Sequence, residues 1–234
     1  NINFRNIIIN GDMSIAQRGT SATGITTTGY HTIDRMRYGL LNFGTWTVSQ
    51  STDVPSGQGF ANSFKLDCTT ADPSLGSANY AFLNYNIEGQ DLQYLKKGTS
   101  NAESLTLSFW TKSNKTGTYT FELDDNDNNR SISKTYTVDS ANTWEKKTIT
   151  IEGDTTGTLD NDNNTSLRFY FWLGAGSDYT SGTLQTSWQS TTDANRVSSS
   201  NVNLGDSTDN EWYITGIQLE AGTTASDFEF LPHD

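Results

Sequence analysis

One cysteine, Cys68, cannot close a disulfide within this 234-residue chain, so packing alone has to hold the fold together, which is compatible with a cytosolic assembly site. Proline is nearly as scarce, at three residues, and no Pro-rich linker, internal repeat or break in composition marks a second domain. Histidine occurs only as His31 and His233, which leaves little for a histidine-based mechanism, and His31 reads as a structural or solvated residue of a turn. Cations are in short supply too: 15 Lys and Arg stand against 27 Asp and Glu, for a formal net charge of −12 and a pI near 4.4. Nucleic-acid backbones and anionic membranes attract a surplus of Lys and Arg, so neither is an expected partner. No apolar run reaches the roughly 18 residues of a membrane-spanning helix, and Asn1 opens no signal-peptide pattern. A chain that starts without Met is expected to be a fragment or a processed product.

What the chain does have is aromatic side chains, with six Trp, ten Tyr and eleven Phe. Each buries a large apolar area, enough to build a core in a sequence otherwise dominated by Thr, Ser, Asn and Gly. The patterning has period two. Leu105, Leu107 and Phe109 alternate with Thr106, Ser108 and Trp110, and Leu167, Phe169, Phe171 and Leu173 with Arg168, Tyr170 and Trp172. Both runs predict strands with the first set inward and the second outward. Further strands are predicted near 4–9, 44–50, 60–68, 79–87, 117–123, 131–138, 144–151 and 211–220, with at most one short helix or turn of helix, over 88–97 before Gly98. Asp, Asn, Gly and Thr clusters at 124–129 and 155–164 favour turns. The expected fold is all-β, a jelly-roll β-sandwich of two antiparallel sheets forming one domain over 1–234. A Ser/Thr-rich excursion near 174–210 interrupts it, and loops of that length often carry function.

Enzyme signatures are missing: there is no Gly-x-Ser-x-Gly elbow, no phosphate-cradling Gly-rich loop and no His-x-x-x-His pair. Cys68 alternates with Phe64 and Leu66, the pattern of a small buried hydrophobe. Paired carboxylates would suffice for an endoglycosidase, but Glu88, Asp91, Glu103 and Glu122 read equally well as solubilising surface. Asp125, Asp127 and Asn129 match the opening of a calcium-binding loop, as do Asp160, Asp162 and Asn164, which makes structural calcium a weak possibility. Both fail at the sixth position, Arg130 or Thr165 in place of Gly, and at the twelfth, Thr137 or Phe171 in place of Glu. Trp110, Arg168, Tyr170 and Trp172, with Tyr179 and Trp188 from the excursion, offer flat rings and polar groups for a sugar's C–H face and hydroxyls. The alternative is that these rings are buried, in the sandwich or between subunits.

The two ends of the chain carry a resemblance. The segment Asn6-Ile7-Ile8-Ile9-Asn10-Gly11-Asp12-Met13-Ser14-Ile15-Ala16-Gln17-Arg18-Gly19-Thr20-Ser21, then Ile33-Asp34-Arg35-Met36, resembles the opening of jelly-roll domains in bacteriophage tail fibres and other virion proteins. The segment from Trp212 to Glu229 resembles the same family's last strand. The resemblance implies a carbohydrate-binding-module-like sandwich on a virion assembled in the host cytoplasm. It further implies a homotrimer that contacts other virion proteins and bacterial surface polysaccharide; catalysis is not implied, and no cofactor is called for beyond the structural calcium weighed above. A purely structural virion component and an endoglycosidase depolymerase are the alternatives. Relatives often continue into a further strand where this chain stops at Leu231-Pro232-His233-Asp234, which predicts a truncated domain or a different ending. By the residues themselves, the two end motifs should form one seam, clamped by Arg18, Asp34 and Arg35.

Overall fold

Twelve strands, eleven of them five to eleven residues long, form from the alternating apolar and polar runs in the computed structural model, which describes residues 5–230. In chain order they are β1 (Ser21–Ile25), β2 (Arg37–Leu41), β3 (Thr45–Ser51), β4 (Ser63–Thr70), β5 (Tyr80–Glu88) and β6 (Leu105–Ser113). The second half holds β7 (Gly117–Asp125), β8 (Arg130–Val138), β9 (Glu145–Ile151), β10 (Thr165–Ala175), the two-residue β11 (Gln189–Ser190) and β12 (Glu211–Ala221). They form two antiparallel sheets of six, ordered β1-β3-β4-β12-β6-β9 and β11-β8-β7-β10-β5-β2, a jelly-roll β-sandwich. Between the sheets lies a core of inward rings and aliphatics. Phe171 of β10 meets Phe109 of β6 at 4.9 Å and Phe121 of β7 at 5.2 Å, and Leu167, Phe169 and Leu173 face inward beside it, as their spacing predicts. Each such ring contributes about 1.5–3 kcal/mol by leaving water. Cys68 is buried in the same core.

The alternation of β12 changes phase within the strand. Trp212 and Ile214 point into the core, then a bulge between Thr215 and Gln218 inserts a residue so that Ile217 and Leu219 also point inward. Gly216 takes φ +63° there, and an added Cβ would meet the Phe60 ring at 2.5 Å. The same strand receives the N-terminal segment. Ile7 N donates to Leu219 O at 2.9 Å, Ile217 N to Gly11 O at 2.9 Å, and Asn6 bonds both Ile217 O and Leu219 N. The two end motifs therefore form one seam, and Gly11 lies so close that a Cβ would stand 2.1 Å from Ile217 O. Asn10 knots the following turn by bonding Ile15 and the Asp34 carbonyl.

Several expectations need correction. Residues 5–9 form no strand, because the ladder with β12 is limited to isolated bonds through Ile7 and Asn6. Residues 88–97 take the turn-of-helix form, as two 3₁₀ turns, Gly89–Asp91 and Gln93–Leu95; among the described residues the α-helix is a single turn, α1 (Ser177–Thr180), in the excursion. β1, β2 and β11 are short and Gly- or Ser-containing, so their alternation is too brief to read. Of the clamp, Arg18 and Asp34 pair at 2.8 Å on the surface, whereas Arg35 lies beside the Tyr85 hydroxyl. Leu231 to Asp234, with His233, lie outside the described residues.

A buried ion cluster fills the end of the sandwich where calcium was a possibility. Lys97 Nζ bonds Asp125, lies 3.1 Å from Asp154, and donates to the carbonyls of Thr156 and Gly157. Arg130 grips Asp154 through Nε at 2.7 Å and Nη2 at 3.0 Å. The other oxygen of Asp125 accepts from the amides of Asp127 and Asn128 across the β7–β8 turn, and Asp127 accepts from Asp160 N. Asn129 supplies the left-handed residue of that turn, φ +51°. An ammonium group thus takes the position that a cation would occupy, and Asp125, Asp127 and Asn129 serve as a hairpin brace. Three of these side chains are nearly inaccessible, at 6% for Lys97, 0% for Asp125 and 3% for Asp154.

Removing one member of a buried pair strands its partner, so Lys97→Met is expected to cost about 3–5 kcal/mol in urea unfolding. Burial pushes the Asp154 carboxyl up, but the bonds from Arg130 and Lys97 outweigh it and hold the group below the usual carboxylate value. Its stabilisation is therefore complete above its unfolded value near pH 4 and is lost as the pH falls through the folded one. Thermal midpoints measured below pH 4 should fall less steeply with pH in Asp154→Asn than in the parent.

Candidate functional site

The outward face of the second sheet departs from ordinary surface composition. On β5 the outward residues run Tyr80, Phe82, Asn84, Asn86 and Glu88, and on neighbouring β10 they are Arg168, Tyr170 and Trp172, directly opposite Asn86, Asn84 and Phe82. β7 adds Glu122 opposite Tyr170 and Asp124 opposite Arg168, and β2 adds Arg37 opposite Asn84. Gly39 of β2 sits where any Cβ would strike the Phe82 ring at 2.2 Å, so glycine is what lets that ring lie over the strand.

The excursion folds back over half of this face. Val202 N bonds Thr118 O, Ser198 N bonds Thr120 Oγ1, Ser133 N bonds Gln185 O and Ser133 Oγ bonds Arg196 O, which pins residues 185–202 across β7 and β8. Arg196 is thereby set above the sheet. Its Nε donates to Glu122 Oε1 at 2.8 Å and its Nη2 to Oε2 at 3.2 Å, while Trp172 Nε1 donates to Oε2 at 2.9 Å. The guanidinium lies 5.4 Å from the centre of the Tyr170 ring and 5.2 Å from that of Trp172, within cation–π range. Burial pushes the Glu122 carboxyl above its ordinary value against the pull of Arg196, and pushes the Tyr170 hydroxyl up to about 12. Glu122 is fully buried, contrary to its reading as solubilising surface.

Beside this anchor the face stays open. Tyr80, Phe82, Tyr170, Trp172, Tyr179 and Arg196 surround a hollow of about 180 Å³. Tyr80 stacks on Phe82 at 5.1 Å, and Tyr179, carried by α1, stands edge-on to Tyr80 at 5.8 Å. Along β5 the aromatic end gives way to a polar ladder, Arg37 to Asn84 at 3.5 Å and Asn84 to Asn86 at 3.1 Å. Arg168 grips Asp124 through Nε and Nη2 at 2.9 and 2.6 Å. At the far end a second hollow of about 300 Å³ is lined by Arg18, Tyr30, Arg35, Asn86, Glu88 and Thr165, with Asn163 at its rim. From Tyr80 to Glu88 the strand spans about 26 Å, the length of an oligosaccharide more than of a single ring.

Of the six residues named as sugar-binding candidates, four converge here: Arg168, Tyr170, Trp172 and Tyr179. Two do not. Trp110 belongs to β6 in the other sheet, where it faces Phe60, Phe228 and Lys146. Trp188 packs at the sandwich end, donating to Glu152 O at 2.7 Å, with Lys97 Nζ 5.2 Å above its ring. Trp172 is itself only 1% exposed, so it forms the floor of the hollow and presents no free ring to solvent. Sequence reasoning missed Tyr80, Phe82 and Arg196. Tyr80 and Phe82 alternate on one strand and could have been read from period two; Arg196 lies 74 residues from Glu122 with no local pattern to mark it.

No known protein family matches the sequence, and no curated protein does. Among solved structures, the chain is similar to the enzymatically active domain of tailspike protein 4 of bacteriophage CBA120, at 14% identity and a TM-score of 0.45, over 92% of this chain and 21% of that one. It therefore spans about a fifth of that tailspike chain. A sugar binding protein from Bacteroides thetaiotaomicron matches at 11% identity and a TM-score of 0.48, over 93% and 100% of the two chains. TmCBM61, solved with β-1,4-galactotriose, matches at 11% identity and a TM-score of 0.45, over 93% and 99%.

Arg196 is the tie between excursion and sheet. Arg196→Ala leaves Glu122 buried and unpaired, at an expected cost of about 3–5 kcal/mol. Loss of the covering guanidinium should also shift tryptophan emission to the red as Trp172 meets water.

Proposed function

We propose that this chain is a non-catalytic glycan-binding module, with the outward face of β5 and β10 as its binding surface. The observation that carries the reading is the hollow bounded by Tyr80, Phe82, Tyr179 and Arg196, continued along β5 by an amide and guanidinium ladder. Ring faces suit the C–H face of a pyranose, while Asn86, held by the buried Asn84, and Arg168 suit its hydroxyls. Glu122 and Asp124 share the floor two residues apart on one strand, at a separation compatible with a glycosidase pair. Each is gripped by its own arginine and nearly inaccessible, which favours binding over hydrolysis.

The resemblance of the end motifs to tail-fibre domains supports placing the module on a virion, as a homotrimer among other virion proteins, adsorbing to bacterial surface polysaccharide. The seam between those motifs accounts for their residues as framework, so the binding residues are sought elsewhere, on the open sheet face.

Tyr80 and Tyr179 are the residues to test, since both are only half-buried and neither belongs to the core between the sheets. Each Tyr→Ala exchange is expected to weaken retention in affinity electrophoresis against the cognate bacterial polysaccharide by about 5- to 10-fold, the equivalent of ~1–1.5 kcal/mol. The thermal midpoint should change little. Unchanged retention in the double variant would remove this face from consideration.

A further inference from the structure

The polar end of the groove has a charge character opposite to that of the protein. Five of the seven arginines, Arg18, Arg35, Arg37, Arg168 and Arg196, lie on this one face of a chain with net charge −12. Three are neutralised where they stand: Arg196 by Glu122, Arg168 by Asp124 and Arg18 by Asp34. Arg35 and Arg37 have no carboxylate within 4 Å among the described residues. Arg37 reaches only the Asn84 amide oxygen, at the long distance of 3.5 Å, and Arg35 stands exposed beside the Tyr85 hydroxyl. Glu88, on the lining of the same hollow as Arg18 and Arg35, is bonded by Gln90 at 2.8 Å; with Arg37 beside Asn84 and Asp34 beside Arg18, three guanidinium groups stand near two carboxylates.

Both arginines spend their hydrogen bonds on neutral partners, the Tyr85 hydroxyl and the Asn84 amide, so neither charge is neutralised among the described residues. Their planar forks match a carboxylate. Arg35 and Tyr30, which is 39% exposed, line the hollow of about 300 Å³, which has room for a sugar, and Arg37 adjoins it through Asn84, whose amide bonds Asn86 on its wall. We infer that this end of the groove recognises the carboxylate of an acidic sugar, a uronate or its equivalent within a polysaccharide, with Arg35 and Arg37 as the groups that meet the charge. The inference rests on the glycan-binding reading and narrows it to acidic polymers. The negative field of the rest of the molecule repels polyanions, so an acidic polymer is held only where this local pair outweighs it.

The test compares polymers that differ only in charge. Affinity electrophoresis is run in polygalacturonate and in the same polymer fully methyl-esterified, with alginate, hyaluronate and dextran sulfate as further gels and xylan and galactan as neutral ones. Retention by at least one uronate polymer, stronger than by its neutral counterpart and weakened by salt, is expected. Arg35→Gln and Arg37→Gln should each reduce that acid-over-neutral preference by about tenfold, with folding verified by circular dichroism. Equal retention by the acid and its ester, or binding confined to xylan or galactan, overturns the acidic-sugar inference and leaves the glycan reading intact. Equal or stronger retention by dextran sulfate overturns it in favour of a general polyanion site. Retention by none of the polymers counts against both.

Discussion

The bond between Arg196 and Glu122 is the interaction on which the organisation of the outer sheet face depends. A carboxylate with no solvent exposure cannot remain charged in a sheet without a partner, and the partner comes from a segment that backbone bonds to β7 and β8 also hold in place. Once Arg196 is drawn down, Val197 and Tyr179 follow, and the rings of Phe82, Tyr170 and Trp172 gain a cover. The excursion thereby becomes a wall. One half of the face is closed, and the half over β5 and β10 is left as a groove.

This arrangement gives β10 two apolar faces of different use. Leu167, Phe169, Phe171 and Leu173 fill the space between the sheets, and Tyr170 and Trp172 build a second, smaller cluster on the outside. The two clusters are separated by the sheet itself, so the outer one can be shaped for a ligand without disturbing the packing that holds the fold. The seam of Asn6, Gly11, Ile217 and Leu219 and the Lys97 cluster do the structural work through contacts of their own.

Much of this was legible in the chain. The alternation over β6 and β10 assigned the core-facing residues correctly, because side chains two apart on a strand must share a face. It also brought Arg168, Tyr170 and Trp172 together. It misjudged Glu122, since a lone acid on a polar face looks the same whether water or an arginine covers it. Trp110 was grouped with the wrong partners for a related reason: its strand alternates like β10 but joins the opposite sheet. The matches of Asp125, Asp127 and Asn129 to a calcium loop reflected turn chemistry, in which the same short side chains bond backbone amides.

The sequence by itself determined the class of fold, the set of residues sharing each strand face, and the scarcity of groups for histidine, thiol or disulfide chemistry. Those properties are local, carried by period two and by composition. Only the tertiary structure decided which outward faces are covered, which acids are paired and which arginines are left over. Such facts depend on contacts between residues far apart in the chain, Glu122 with Arg196, Arg37 with Asn84 and Lys97 with Asp154, and no spacing along a single strand encodes them.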